Sequence, residues 1–225
     1  YEARITASQG FGIPVIRFGT SGWRDIIAEG FTVANVRRVA GGDELDELTL
    51  RRAQRGERDA WRALVERYQR AVFALLGRLV GRGGAALVED VAQETFLHVF
   101  RALPGFTPLG PARLSTWILT IAARRGIDEL RRRAVATDPL ERGADVADEA
   151  RADTETERAR LAHLLEIAVA ALSPELRAAF LLREYHDLEY ADIARALEIE
   201  IGTVKSRLSR ARAALRASLA EVHDD

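Results

Sequence analysis

From Leu48 to Arg82 the apolar residues Leu50, Ala53, Trp61, Leu64, Val65, Tyr68, Val72, Leu75, Leu76 and Leu79 recur at steps of three and four. That spacing predicts one helix with a single buried stripe. Gly81, Gly83 and Gly84 break the pattern, and a second helix is expected from Leu87 to Leu103, stopping before Pro104-Gly105. After the loop FTPLGPARL, Ser115 is the expected N-cap of a third helix over Thr116–Ala134. Val135 to Glu157 is small, acidic and without apolar period, the composition of a mobile linker. Helical spacing resumes at Leu161, Leu164, Leu165, Ala168 and Leu172, and Ser173-Pro174 reads as an N-cap followed by proline at the first helical position. Three more helices are predicted at about 174–185, 190–197 and 203–220. Strands are credible only in the first 20 residues.

The expected fold is therefore all-α. Two helical domains, 44–134 and 161–222, are joined by the acidic stretch 135–160 and preceded by residues 1–43. The chain has 225 residues, a net charge of −1 and no cysteine. The neutral total conceals segregation: residues 51–133 carry a net +8, whereas 134–160 and 161–225 carry −4 and −3. A basic working face on the first domain is compatible with that balance. No apolar run is long enough to span a membrane, so no membrane insertion is expected, and a cytoplasmic setting follows from the missing cysteines and leader. The four histidines are scattered, without the spacing of a metal site or a nucleophile-base pair, so neither metal, cofactor nor catalysis is expected.

The last two helices carry the strongest local signal. Ile193 and Leu197 face Val204, Leu208, Ala211 and Leu215 across a short turn, the pattern of a helix-turn-helix. Its second helix has no acidic residue between Thr203 and Leu219. Thr203, Ser206 and Arg210 share one face, flanked by Lys205, Ser209 and Arg212, with Arg207 and Arg216 adding charge. Arginines there suit base edges, lysine and hydroxyls suit phosphates. In LVEDVAQETFLHVFRAL, Val88, Val91, Ala92, Thr95, Phe96, Val99, Phe100 and Leu103 form the expected buried stripe. Opposite it, Leu97 is ringed by Asp90, Gln93 and Glu94, an apolar anchor in a polar rim suited to docking a partner helix.

LSPELRAAFLLREYHDLEYADIARALEIEIGTVKSRLSRARAALR resembles the fourth conserved region of bacterial extracytoplasmic-function sigma factors, most closely in GTVKSRLSRAR. EDVAQETFLHVFRAL resembles their second conserved region, and LSTWILTIAARRGIDELRRR their promoter-melting element. The resemblance implies a factor that directs core RNA polymerase to promoter DNA, with an anti-sigma factor as a further partner. It implies polymerase contacts at Asp90, Gln93, Glu94 and Leu97. It implies minus-ten and melting contacts at Arg124, Arg125, Arg131, Arg132 and Arg133, and minus-thirty-five contacts at Thr203, Lys205, Ser206, Arg207, Ser209 and Arg210. Trp117 is read as core in preference to a base-stacking platform.

Three residues stand apart from the family pattern. Glu198 stands where the turn usually has glycine, at a site that tends to need a left-handed backbone, and Glu200 adds a further carboxylate near the expected DNA backbone. Arg124 replaces an asparagine often found there, which leaves the minus-ten sequence open. A helix-turn-helix regulator of another kind is the alternative reading. A third arises from PVIRFGTSGWRDIIAEGFTVANVRRVA, residues 14–40, which resembles the opening of phosphohexomutases. That family's phosphoserine loop and Asp-x-Asp-x-Asp metal motif do not follow, so the stretch is expected to be a fragment joined near Gly41-Gly42. The chain contains no methionine, so it is expected either to begin inside a longer reading frame or to lack its true start.

Overall fold

The computed structural model describes residues 44–108, 110, 113–136 and 157–221, and among them there is no strand. Eight α-helices follow one another: α1 Glu47–Gln54, α2 Arg58–Val80, α3 Ala85–Ala102, α4 Leu114–Ala136, α5 Glu157–Ala171, α6 Pro174–Glu184, α7 Tyr190–Leu197 and α8 Ile201–Glu221. The mutase-like stretch and most of the acidic linker lie outside the described residues.

The single helix expected over 48–82 is two. Gly56, at φ 80°, separates α1 from α2 in a left-handed conformation that interrupts the helix without a steric cost. The apolar stripe continues across the break, with Leu50 and Ala53 on α1 as buried as Leu64 on α2. Asp46 caps α1, accepting from the Thr49 amide at 2.9 Å. Ser115 does not cap α4, because the helix already begins at Leu114 and the Trp117 amide reaches the Arg113 carbonyl. Its hydroxyl donates instead to Glu44 Oε1 at 2.8 Å, while the Tyr68 hydroxyl meets Glu44 Oε2 at 3.2 Å. Burial, reinforced by that carboxylate, pushes the Tyr68 phenol up to about 12. The α3–α4 connection is tied to α1 by the Gln54 amide, which donates to the Leu103 and Phe106 carbonyls.

Helices α2, α3 and α4 pack together around Leu75, Leu76, Leu79, Val99, Ile118 and Ala122. Gly126 permits the closest approach of α4 to α2: a Cβ there would lie 2.5 Å from Leu79 Cδ2. In the carboxy-terminal half α6 is buried almost all round, with Ala178, Ala179, Phe180, Leu181 and Leu182 fully enclosed. Ser173 caps it and Pro174 opens it, as the sequence predicts. The two halves share one continuous apolar core.

Polar contacts cross between the halves as well. Arg177, buried on α6, donates to the Leu79 carbonyl at the end of α2 at 2.7 Å, to the Leu172 carbonyl at 2.8 Å and to the Ala170 carbonyl at the end of α5. The guanidinium of Arg78 lies over the Tyr185 ring, 4.6 Å from its centroid.

Replacing Gly126 with valine forces methyl groups into Leu79 and is expected to lower the unfolding free energy by about 1–3 kcal/mol. Denaturant titration checks this, and an unchanged midpoint would mean that α2 and α4 do not approach as described.

Candidate protein and nucleic-acid interfaces

On α3 the inner face is Val91, Ala92, Thr95 and Val99, and the buried Thr95 hydroxyl is satisfied by the Val91 carbonyl at 2.7 Å. Phe100 departs from the expected stripe. It is 46% exposed, held edge-on against Trp61 with centroids 5.0 Å apart, because the helix turns it past the rim of the core. The outer face presents Glu89, Asp90, Gln93, Glu94 and His98 around Leu97, which is 55% exposed. An exposed leucine inside a ring of carboxylates and an amide is a compact docking feature.

On α4, Trp117 is half-buried and packs on Phe106 with ring centroids 5.1 Å apart. Each of the five arginines singled out on this helix has an intramolecular partner. Arg124 Nε donates to the Ala196 carbonyl at 2.7 Å, another nitrogen to the Arg195 carbonyl at 2.8 Å, and the third pairs with Glu198 at 2.7 Å. Arg125 meets His98 Nδ1 at 3.3 Å, and Arg131 pairs with Glu175 at 3.0 Å. Arg132 and Arg133 both hold Glu129, whose carboxyl stays below its ordinary range although burial opposes the charge. The arginine ends of these pairs are exposed or half-exposed, so each contributes at most about 1 kcal/mol and is open to exchange for a phosphate.

Helices α7 and α8 bury Ile193, Val204, Leu208, Ala211 and Leu215 against each other and α6. Leu197 is half-buried beside them. Between the helices Glu198 adopts φ 53° and ψ 48°, the left-handed conformation that the sequence position demands. The Ile199 amide closes the turn onto the Ala194 carbonyl at 3.0 Å. Outward from α8 point Lys205, Ser209 and Arg210, all exposed, with Thr203, Ser206 and Arg207 half-buried at the edge. The Ser206 hydroxyl donates back to the Thr203 carbonyl at 2.9 Å.

Arg212 is not part of that outer flank. It turns inward to Glu184 at 2.5 Å, a carboxylate whose side chain is only 2% exposed. Burial works against the Arg212 charge, but Glu184 outweighs it and raises the guanidinium pKa above the ordinary value. The pair fixes the roll of α8 on α6. Sequence reasoning missed it, as it missed Arg177 and His186, since no local motif distinguishes a buried charge from a surface one. His186 is enclosed at the end of α6, where burial, assisted by Arg78, lowers its pKa to about 4 and keeps it neutral near pH 7.

Comparison with known proteins places these two faces in separate conserved modules. The family model for sigma-70 region 2 matches residues 64–135, and that for sigma-70, region 4, matches residues 163–215. The chain is 36% identical over 186 residues to the RNA polymerase sigma-H factor of Pseudomonas aeruginosa, covering 78% of this chain and 94% of that protein. It is 32% identical over 180 residues to the ECF RNA polymerase sigma-E factor of Escherichia coli K12, covering 76% and 92%. Among solved structures, CnrH in complex with the cytosolic domain of CnrY is similar at 25% identity and a TM-score of 0.54, covering 79% of this chain and 99% of that one. RpoE of Bartonella quintana, in complex with the anti-sigma factor NepR, shares the fold at 23% identity and a TM-score of 0.55, covering 71% and 96%.

The contrast between two neighbouring arginines of α8 is testable in denaturant. Arg212→Ala leaves Glu184 buried and unpaired and is expected to cost about 3 kcal/mol, whereas Arg210→Ala on the exposed face stays within about 0.5 kcal/mol of the parent. Equal unfolding midpoints for the two variants would contradict the inward placement of Arg212.

Proposed function

The chain belongs to the extracytoplasmic-function sigma factors of bacterial RNA polymerase, and from that premise we propose which of its residues carry each step of transcription initiation. As a sigma factor it brings core RNA polymerase to promoter DNA. In our reading the division of labour follows the helices. Residues 44–134 bind the polymerase and hold the melted promoter, residues 161–222 read the upstream element, and residues 135–160 span the distance between them.

Asp90, Gln93, Glu94 and Leu97 form the polymerase contact. Leu97 supplies the desolvated anchor, and the surrounding carboxylates and amide supply the polar rim and the charge that orients a basic partner helix. Arg124, Arg125, Arg131, Arg132 and Arg133 serve the minus-ten strand, exchanging their intramolecular carboxylates and carbonyls for phosphates and base edges. Thr203, Lys205, Ser206, Arg207, Ser209 and Arg210 meet the minus-thirty-five element. The observation that carries the reading is the two-sided build of α8: the inner face is locked by Val204, Leu208, Ala211 and Leu215, so Lys205, Ser209 and Arg210 are presented together on a rigid rod. Glu198 and Glu200, both exposed beside that rod, set a lower ceiling on DNA affinity by repelling the backbone.

The protein acts by binding and carries no catalytic step of its own, and it works in the cytoplasm alongside the polymerase. An anti-sigma protein is its further partner, a reading supported by the similar CnrH having been solved together with the cytosolic domain of CnrY.

Transcription reconstituted from core polymerase and the full chain tests the assignment. The Asp90→Ala, Gln93→Ala, Leu97→Ala triple variant is expected to bind polymerase at least tenfold more weakly, by about 1.4 kcal/mol or more, while its affinity for duplex promoter DNA through α8 is unchanged. Lys205→Ala is expected to reduce the slope of log affinity against log salt by about one. Unchanged polymerase binding would remove α3 from the interface. DNA binding without promoter-directed initiation would return the chain to the broader class of helix-turn-helix regulators.

A further inference from the structure

Every nitrogen of the Arg124 guanidinium is taken up by the opposite half of the molecule. Nε and one terminal nitrogen donate to the Ala196 and Arg195 carbonyls at 2.7 and 2.8 Å, and the other terminal nitrogen pairs with Glu198 at 2.7 Å. The acceptors are the last carbonyls of α7 and the side chain of its C-cap residue. Partial negative charge from a helix end and a full negative charge thus converge on one cation. Each of the three nitrogens thus has an acceptor on the second half of the molecule.

The acceptor set is assembled at a conformational cost. Glu198 lies in the left-handed region, where a side chain is disfavoured and glycine is at ease. Glycine would close α7 equally well and would bring no carboxylate to Arg124. Arg131 and Glu175 pair at 3.0 Å further along α4, so the basic surface of this helix is fastened to the second half at two places. A guanidinium fork takes a phosphate with the same geometry that it offers a carboxylate and two carbonyls. A phosphate taken bidentately by this fork therefore competes with the present acceptors.

We propose that Glu198 is an intramolecular competitor of nucleic acid for Arg124, a latch that withholds the melting surface of α4 until α7 moves off it. The proposal rests on the assignment of α4 to the promoter strand. The pair is partly open to water, with Arg124 40% and Glu198 73% exposed, so competition and salt release it without unfolding either half. In the closed state α7 restrains the minus-ten surface of α4, and a promoter or polymerase that separates α7 from α4 frees it.

The test measures affinity of the full chain, without polymerase, for a labelled mixed-sequence single-stranded DNA oligonucleotide at low salt. Glu198→Gly and Glu198→Gln are expected to raise affinity about two- to fivefold, and the gain is expected to vanish when Arg124→Ala is added. The glycine variant relieves the left-handed strain and the glutamine variant keeps the size of the side chain, so a shared result does not depend on folding. No gain in either variant would overturn the latch. A gain that persists without Arg124 would overturn it too, because it would report only the loss of a repelling charge. Failure of the full chain to direct initiation, with the Arg124-dependent gain intact, would instead overturn the promoter assignment and leave the latch standing.

Discussion

The arrangement of the described helices depends on the capture of helix carbonyl ends by arginine. An α-helix leaves its last carbonyls without intrahelical donors, and burying such groups unpaired costs on the order of 1–3 kcal/mol each. Arg177 meets that need for α2 and α5 with one guanidinium, accepting desolvation that lowers its own pKa. The bonds it makes are charge-assisted, and removing the side chain would take this donor from the Leu79 and Leu172 carbonyls together, while Ala170 keeps a contact from Arg82 at 3.3 Å. Arg124 does the same for α7, and Arg183 reaches the Leu188 carbonyl at 2.8 Å in the turn after α6. Lysine has its three donors on one nitrogen and lacks the planar, spread fork that reaches these carbonyls. A chain with 32 arginines and one lysine has this chemistry at hand throughout.

This use of arginine changes how the basic surface reads. A net +8 over residues 51–133 resembles an open nucleic-acid face, yet all five arginines expected to meet the melted strand are already occupied. Their occupancy differs in kind. Arg132 and Arg133 share Glu129 on their own helix and can leave it with little consequence for the fold. Arg124 and Arg131 hold the other half of the molecule, so their engagement with DNA is coupled to the relative placement of the two modules. Recognition surfaces and internal contacts are built from the same side chains, and binding a promoter means trading one set for the other.

Much of this was legible in the sequence, and the parts that were not share a cause. The steps of three and four revealed the helices, the buried faces of α7 and α8, and the outward position of Lys205, Ser209 and Arg210. The left-handed turn at Glu198 was expected from its place in the motif. The break at Gly56 was hidden because Leu50 and Ala53 continue the apolar stripe of α2 across it. Ser115 looked like a cap because its true partner, Glu44, lies far away along the chain. Arg124 and Glu198 each stood out as departures from the family pattern, but only the packing of α4 on α7 brings them together. Arg177, Glu184 and His186 carry no local signal at all, since burial of a charged or titratable side chain is decided by contacts distant in sequence.

The closed arrangement of the free chain is measured most directly as the distance between α4 and α7 in solution. The absence of native cysteine allows spin labels at two introduced cysteines, replacing the exposed Ala134 and Ala191, and pulsed electron resonance then reports the separation. The free chain should give one short, narrow distribution that lengthens on addition of core polymerase, and Glu198→Gly should shift the free chain toward the longer distances. A free chain that already shows the long, broad distribution, unaltered by Glu198→Gly, would contradict the closed arrangement on which the account rests.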